Sequence, residues 1–125
     1  MKKLLIADDE EGVRALVRMT LDTGRYMILE AADGDEALEI GRTEQPQLVL
    51  LDIEMPGRSG LEVCRTLKSE DATSGATILM LTARAQQADI EAGRSAGADG
   101  YFTKPFSPFD LMSKVDEVLG AEDMG

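Results

Sequence analysis

Leu48-Val49-Leu50-Leu51-Asp52 is apolar at four consecutive positions and then abruptly acidic. A strand with one wet face alternates apolar and polar residues. A strand buried on both faces reads as a continuous apolar run, the mark of a parallel sheet covered by helices on each side. The flanking sequence repeats the theme. Leu4-Leu5-Ile6-Ala7, Tyr26-Met27-Ile28-Leu29, Ile78-Leu79-Met80-Leu81 and Gly100-Tyr101-Phe102 are further strand-length runs. Between them, apolar residues recur at helical spacing: Val13, Leu16, Val17 and Leu21; Ala37, Leu38 and Ile40, stopping before Pro46; Leu61, Val63, Cys64 and Leu67; Ile90, Ala92 and Ala96; Phe109, Leu111, Met112, Val115, Val118 and Leu119. Alternating strands and helices predict an α/β domain: a three-layer, doubly wound, five-stranded parallel sheet. Right-handed crossovers leave few topologies, of which the flavodoxin-like order 2-1-3-4-5 is the common one. One domain over 1–120 and a short acidic tail over 121–125 are expected.

Composition narrows the function. The 125 residues carry a net charge of −11, and the sequence pI is near 4.3. Such a surface repels phosphate backbones and argues against direct nucleic-acid binding. No apolar run reaches membrane-spanning length. Met1-Lys2-Lys3-Leu4-Leu5-Ile6 begins like a signal peptide, but Asp8-Asp9-Glu10-Glu11 breaks the run. The single cysteine, Cys64, precludes an internal disulfide and fits a reducing, cytoplasmic compartment. With no histidine in the chain, histidine triads and histidine metal sites are excluded.

The polar residues that follow the strands are Asp8 and Asp9, then Asp52, Thr82 and Lys104. All fall at the carboxyl edge of the predicted sheet. In the order 2-1-3-4-5 the first and third strands are adjacent and the order reverses between them, where ligands bind in open α/β sheets. Three carboxylates crowded together raise one another's pKa. A divalent cation relieves that repulsion, and oxygen-only ligands suit Mg²⁺ or Ca²⁺ rather than zinc. Waters completing the shell, with phosphate oxygens among the ligands, suit Mg²⁺. The cation, Lys104 and the Thr82 hydroxyl would surround the oxygens of a transferring phosphoryl group, with a carboxylate as nucleophile. Geometry favours the central one, Asp52.

With these residues in view, the chain resembles the receiver domains of two-component response regulators from Lys2 to about Leu119. The resemblance is carried by the pair Asp8-Asp9, by Leu50-Leu51-Asp52-Ile53-Glu54-Met55-Pro56 followed by Gly60, by Thr82-Ala83, and by Lys104-Pro105-Phe106. It implies that Asp52 takes a phosphoryl group from a phosphohistidine on a sensor kinase or phosphotransfer protein. Asp9, Asp52 and the Glu54 backbone carbonyl would ligate Mg²⁺, with Asp8 acting through water. Lys104 would pair with the phosphoryl group, Thr82 would move toward it, and Tyr101 would swing inward. The Lys104-Pro105 bond would be cis. The face of the fourth helix, fifth strand and fifth helix would then meet a downstream target or effector domain, or drive dimerisation. Such a chain catalyses its own phosphorylation and dephosphorylation but turns over no separate substrate. Glu54 and Arg84, each two residues past a site residue, are expected to pair across the pocket mouth and hinder attacking water.

Taken singly, these residues have ordinary explanations. Asp8 and Asp9 suit a helix N-terminus, Asp52 suits a turn before Pro56 and Gly57, and Lys104 suits a solvated surface. Their joint placement on one sheet edge favours the functional interpretation. An aspartate-dependent phosphohydrolase would need an Asp-x-Asp pair after the first strand and a cap domain. A receiver that has lost its chemistry would lack one of the acids or the lysine. A flavin phosphate would be repelled by these carboxylates. No effector domain is legible after the fifth helix, so a freestanding protein and a part of a longer chain both remain open.

Overall fold

The computed structural model describes residues 2–83 and 87–120. Five strands, β1 (Lys2–Ala7), β2 (Tyr26–Ala31), β3 (Leu48–Asp52), β4 (Thr77–Thr82) and β5 (Gly100–Thr103), alternate with α1 (Glu11–Leu21), α2 (Gly34–Glu44), α3 (Gly60–Ser69), α4 (Gln87–Ser95) and α5 (Pro108–Val115). A turn of π-helix, Asp116–Gly120, continues α5. The sheet is parallel throughout, in the order β2-β1-β3-β4-β5. The expected fold class is therefore the observed one. The five apolar runs fall inside the five strands, each strand extending one or two residues beyond its run. The tail over 121–125 lies outside the described residues.

The strands alternate in which layer they feed. Leu5, Ala7, Val49, Leu51, Ile78 and Met80 join one core with Leu38 of α2 and Val63 and Leu67 of α3. Leu4, Ile6, Leu48, Leu50, Leu79 and Leu81 join the other with Val17 of α1 and Leu111 of α5. This is why β3 has no polar position before Asp52: both faces lie under helices. A fully buried leucine contributes roughly 1.5–3 kcal/mol relative to exposure, so strands of this kind supply much of the driving force.

Local signals place the helices that follow the strands. Asp33 accepts a hydrogen bond from the Glu36 amide at 2.8 Å, and the Glu36 carboxylate in turn accepts one from the Ala32 amide at 3.0 Å. Ser59 and Ser107 cap α3 and α5 in the same manner, through the amides of Glu62 and Asp110. Pro108 opens α5 where its missing N–H costs nothing. Gly60 begins α3 in a space no side chain fits. A Cβ there would stand 1.9 Å from the Asp52 carbonyl oxygen. The Gly60 amide instead donates to the Ile53 carbonyl at 2.9 Å, seating α3 directly behind the end of β3.

Candidate functional site

The carboxyl ends of β1, β3, β4 and β5 open into a cleft of about 760 Å³, lined in part by Asp9, Asp52, Glu54, Thr82 and Lys104. Each expected residue arrives from its own strand. Asp52 ends β3 and is 7% exposed. Thr82 ends β4 and is buried. Lys104 follows β5, and its amide donates to the Thr82 carbonyl at 2.8 Å, which registers one against the other. The Lys104–Pro105 peptide bond is cis.

Asp8 is fully buried. Its Oδ1 accepts a hydrogen bond from the Glu10 amide at 2.9 Å. The ordinary capping explanation accounts for that one bond, to a free amide at the start of α1, and not for the other Asp8 oxygen. The N-cap of α1 is Glu10, and its side chain makes no capping bond. Asp8 also turns toward Lys104, whose Nζ lies 2.6 Å from Asp8 Oδ2, 3.6 Å from Asp52 Oδ1 and 3.8 Å from Glu10 Oε1. Lys104 is thus no solvated surface charge: it sits among three carboxylates.

The electrostatics follow from that crowding. Burial and then the neighbouring Asp8 charge push the Asp52 carboxyl up from 3.8 to about 7, with Lys104 and the Glu54 backbone amide pulling the other way and Asp9 adding to the rise. Burial opposes the Lys104 charge, but its close contact with Asp8 and the charges of Asp52, Asp8 and Glu10 outweigh it and raise its pKa. The site holds more negative than positive charge and gains from a further cation.

Asp8, Asp9 and Glu10 each offer a carboxylate oxygen within 4.8 Å of the others. This all-oxygen donor set fits a hard divalent cation. Buried Asp8 Oδ2 points the same way: it has a lysine ion pair but accepts no well-directed hydrogen bond. Glu10 is absent from the site expected from sequence. Its only sequence signal is its position directly after the acidic pair, where a solvated helix-start acid reads identically.

Tyr101 lies on the outer side of β5 and is 45% exposed. A cavity of about 160 Å³ separates β5 from α4, bordered by Tyr101, Thr82, Met80 and Ile90. Glu54 lines the main cleft, whereas Arg84 lies outside the described residues, as does its expected pairing with Glu54.

Residues 4–116 match the family described as "Response regulator receiver domain". The chain belongs to this family. Among relatives, this receiver domain is 44% identical over 117 residues to the transcriptional regulatory protein ResD of Bacillus subtilis, covering 94% of this chain and 48% of ResD. It is 41% identical over 118 residues to the alkaline phosphatase synthesis transcriptional regulatory protein PhoP of the same organism, again covering 94% of this chain and 48% of the relative. The receiver domain therefore spans about half the length of the curated relatives it matches. Among solved structures, the chemotaxis response regulator CheY4 of Vibrio cholerae superposes with a TM-score of 0.89 at 32% identity, covering 95% of this chain and 99% of that one. The BeF3-activated DrrB receiver domain superposes with a TM-score of 0.86 at 29% identity, covering 96% of this chain and 98% of that one. Among the described residues, no helix is long and apolar enough to cross a membrane.

Proposed function

We propose that this receiver domain is a phosphorylation switch in which Asp52 accepts a phosphoryl group from a phosphohistidine of a sensor kinase or phosphotransfer protein. One observation carries the proposal: a single ammonium, Lys104, stands between the buried Asp8 carboxylate and the Asp52 carboxylate at the floor of an open, acidic cleft. Asp52 is the acid placed centrally, at the end of the strand buried on both faces. An Asp52 oxygen attacks phosphorus, the new O–P bond forming as the donor's N–P bond breaks. The released imidazole nitrogen keeps the electron pair and takes up a proton. Lys104 and the Thr82 hydroxyl meet the phosphoryl oxygens, so that developing charge faces groups already in place.

Asp8, Asp9, Asp52 and the Glu54 backbone carbonyl would hold Mg²⁺, with Asp8 acting through water and Glu10 adding charge at the rim. When bound, the ion supplies charge neutralisation between the carboxylates and the phosphoryl oxygens. The same chain would catalyse both gain and loss of the group, with no separate substrate. Thr82 then draws toward the phosphoryl group, and Tyr101 enters the cavity beside α4. That remodels the face formed by α4, β5 and α5 for a downstream target or effector domain, or for a second receiver. These partners are proposals, as is a cytoplasmic setting.

The test is direct. The chain is incubated with Mg²⁺ and a small acyl-phosphate donor, and the intact protein is weighed. A single phosphoryl gain is expected, lost in Asp52→Asn and on adding a chelator. A wild-type chain that gains nothing overturns the proposal.

A further inference from the structure

The loop between β1 and α1 carries Asp8, Asp9 and Glu10, and it is held in place from an unexpected quarter. Arg14, one turn into α1, folds its side chain back rather than outward. Its Nη1 donates to the Asp8 carbonyl oxygen at 2.7 Å. That oxygen belongs to the peptide unit joining Asp8 to Asp9. Because the unit is planar, fixing its oxygen fixes its amide too, and with it the direction in which Asp9 leaves the chain. The other side of Asp8 is tied as well: its amide donates to the Ala31 carbonyl, at the end of β2, at 3.0 Å.

The guanidinium is itself oriented. Arg14 Nε lies 3.5 Å from Glu30 Oε1. Glu30 Oε2 in turn accepts from Arg18 Nη1 at 2.6 Å. The Arg14 side chain is only 16% exposed, so this grip is partly shielded from solvent. A chain of contacts therefore runs from Arg18 through Glu30 on β2 and Arg14 on α1 to the peptide between the two acids. Arg14 approaches that peptide from its carbonyl side, while the Asp8 carboxylate is occupied with Lys104 and the Glu10 amide. It adds positive charge to the loop without taking up a carboxylate oxygen of the Asp8, Asp9 and Glu10 cluster.

Building on the phosphoacceptor role assigned above, we propose that Arg14 is a positioning residue for the cation site: by pinning the Asp8–Asp9 peptide it presets the acidic loop for Mg²⁺. Partners of this kind, one bond removed from the ligands, are typically worth about 10–100-fold in metal affinity. Arg14→Ala frees the peptide and is expected to weaken Mg²⁺ binding by about that factor. Arg14→Lys keeps a cation and a donor that can reach the carbonyl, and loses less. Glu30→Ala leaves the carbonyl contact but frees the guanidinium to turn, and its loss falls between those of wild type and Arg14→Ala.

The experiment is calorimetric titration of the full chain with MgCl₂ alone, at constant ionic strength, for wild type and these variants. Folding is monitored by urea unfolding without Mg²⁺. Val115→Ala, a core change in α5 away from the loop, serves as a destabilised control. A second readout is the Mg²⁺ concentration giving half-maximal phosphoryl uptake from a small acyl phosphate. In Arg14→Ala this concentration is expected to rise by about 10–100-fold, in step with affinity, while the uptake rate at saturating Mg²⁺ stays near that of wild type. Partial rescue by Arg14→Lys, with the Val115→Ala control binding like wild type, supports the proposal. Unchanged Mg²⁺ affinity in Arg14→Ala overturns it, as does an equal loss in the Val115→Ala control. If wild type takes up a phosphoryl group and binds Mg²⁺ while Arg14→Ala does so equally well, only the positioning role fails. If wild type does neither, the switch itself fails and the positioning role falls with it.

Discussion

Replacing Asp52 with asparagine should make the metal-free protein more stable, and the size of the gain should depend on pH. The Asp52 carboxyl is raised from 3.8 to about 7, first by burial and next by Asp8. Each pKa unit is worth about 1.4 kcal/mol of difference between the protonated and ionised forms. A rise of about three units therefore sets an upper bound of about 4 kcal/mol. Water entry into the open cleft reduces it, so about 2–4 kcal/mol is expected. The direction follows from linkage. The folded-state pKa lies above the unfolded one, so the stability of the wild type is fully present below about pH 3.8. It is lost as pH rises through about 7. Asparagine keeps the shape and never ionises. The two proteins should thus be alike near pH 4, differ by about 1–2 kcal/mol at about pH 5, and reach the full gap at about pH 8. Urea unfolding in the presence of a chelator measures this, and thermal scans should show about 3–5 °C per kcal/mol. Saturating Mg²⁺ should narrow the gap by stabilising the wild type. An asparagine variant no more stable than wild type at pH 8, or a gap independent of pH, would refute the reasoning.

Three further outcomes are expected. Lys104→Met removes the ammonium that Asp8 faces at 2.6 Å, and urea unfolding without Mg²⁺ should show a loss of about 3 kcal/mol that saturating Mg²⁺ partly restores; a loss indifferent to Mg²⁺ would contradict the shared role of the two cations. Gly60→Ala places a Cβ 1.9 Å from the Asp52 carbonyl oxygen and should cost about 3 kcal/mol or more; calorimetric melting at near wild-type temperature would show that α3 can move off β3 freely. If Glu54 and Arg84 act together against attacking water, Glu54→Ala and Arg84→Ala should each speed loss of the phosphoryl group by about two- to fivefold, the scale of a weak ion pair. Intact mass followed over time checks this, and unchanged rates in both variants would remove the pair from the mechanism.

The fold was legible because β3 advertises its surroundings. Leu48 and Leu50 enter one core while Val49 and Leu51 enter the other, so a continuous apolar run could arise only under helices on both faces. Once the order of strands followed, the arrival of Asp9, Asp52, Thr82 and Lys104 at one cleft followed too, since each lies at or just beyond a strand end. What escaped sequence was the direction of side chains that leave a helix start. Nothing in the spacing of Arg14 distinguishes an arginine that folds back to the Asp8 carbonyl from one that snorkels into water. Glu10 was equally silent, because an acid in that position serves the helix dipole whether or not it also faces a cation. Tyr101 belongs to a third kind. Its strand was legible, yet alternation along a short edge strand does not tell which way an aromatic ring will point when a cavity lies beside it.

The placement of Tyr101 has an optical consequence. The chain contains two tyrosines and no tryptophan. Tyr26 is 7% exposed, lies in the core beneath α1 and α5, and has the Arg25 guanidinium over its ring. Tyr101 is 45% exposed and borders the cavity between β5 and α4. Intrinsic emission therefore divides into a shielded component and an accessible one, and a collisional quencher such as acrylamide acts mainly on the second. The molecule carries its own fluorescent reporter beside the cavity between β5 and α4, with no label to attach and no competing indole signal to subtract.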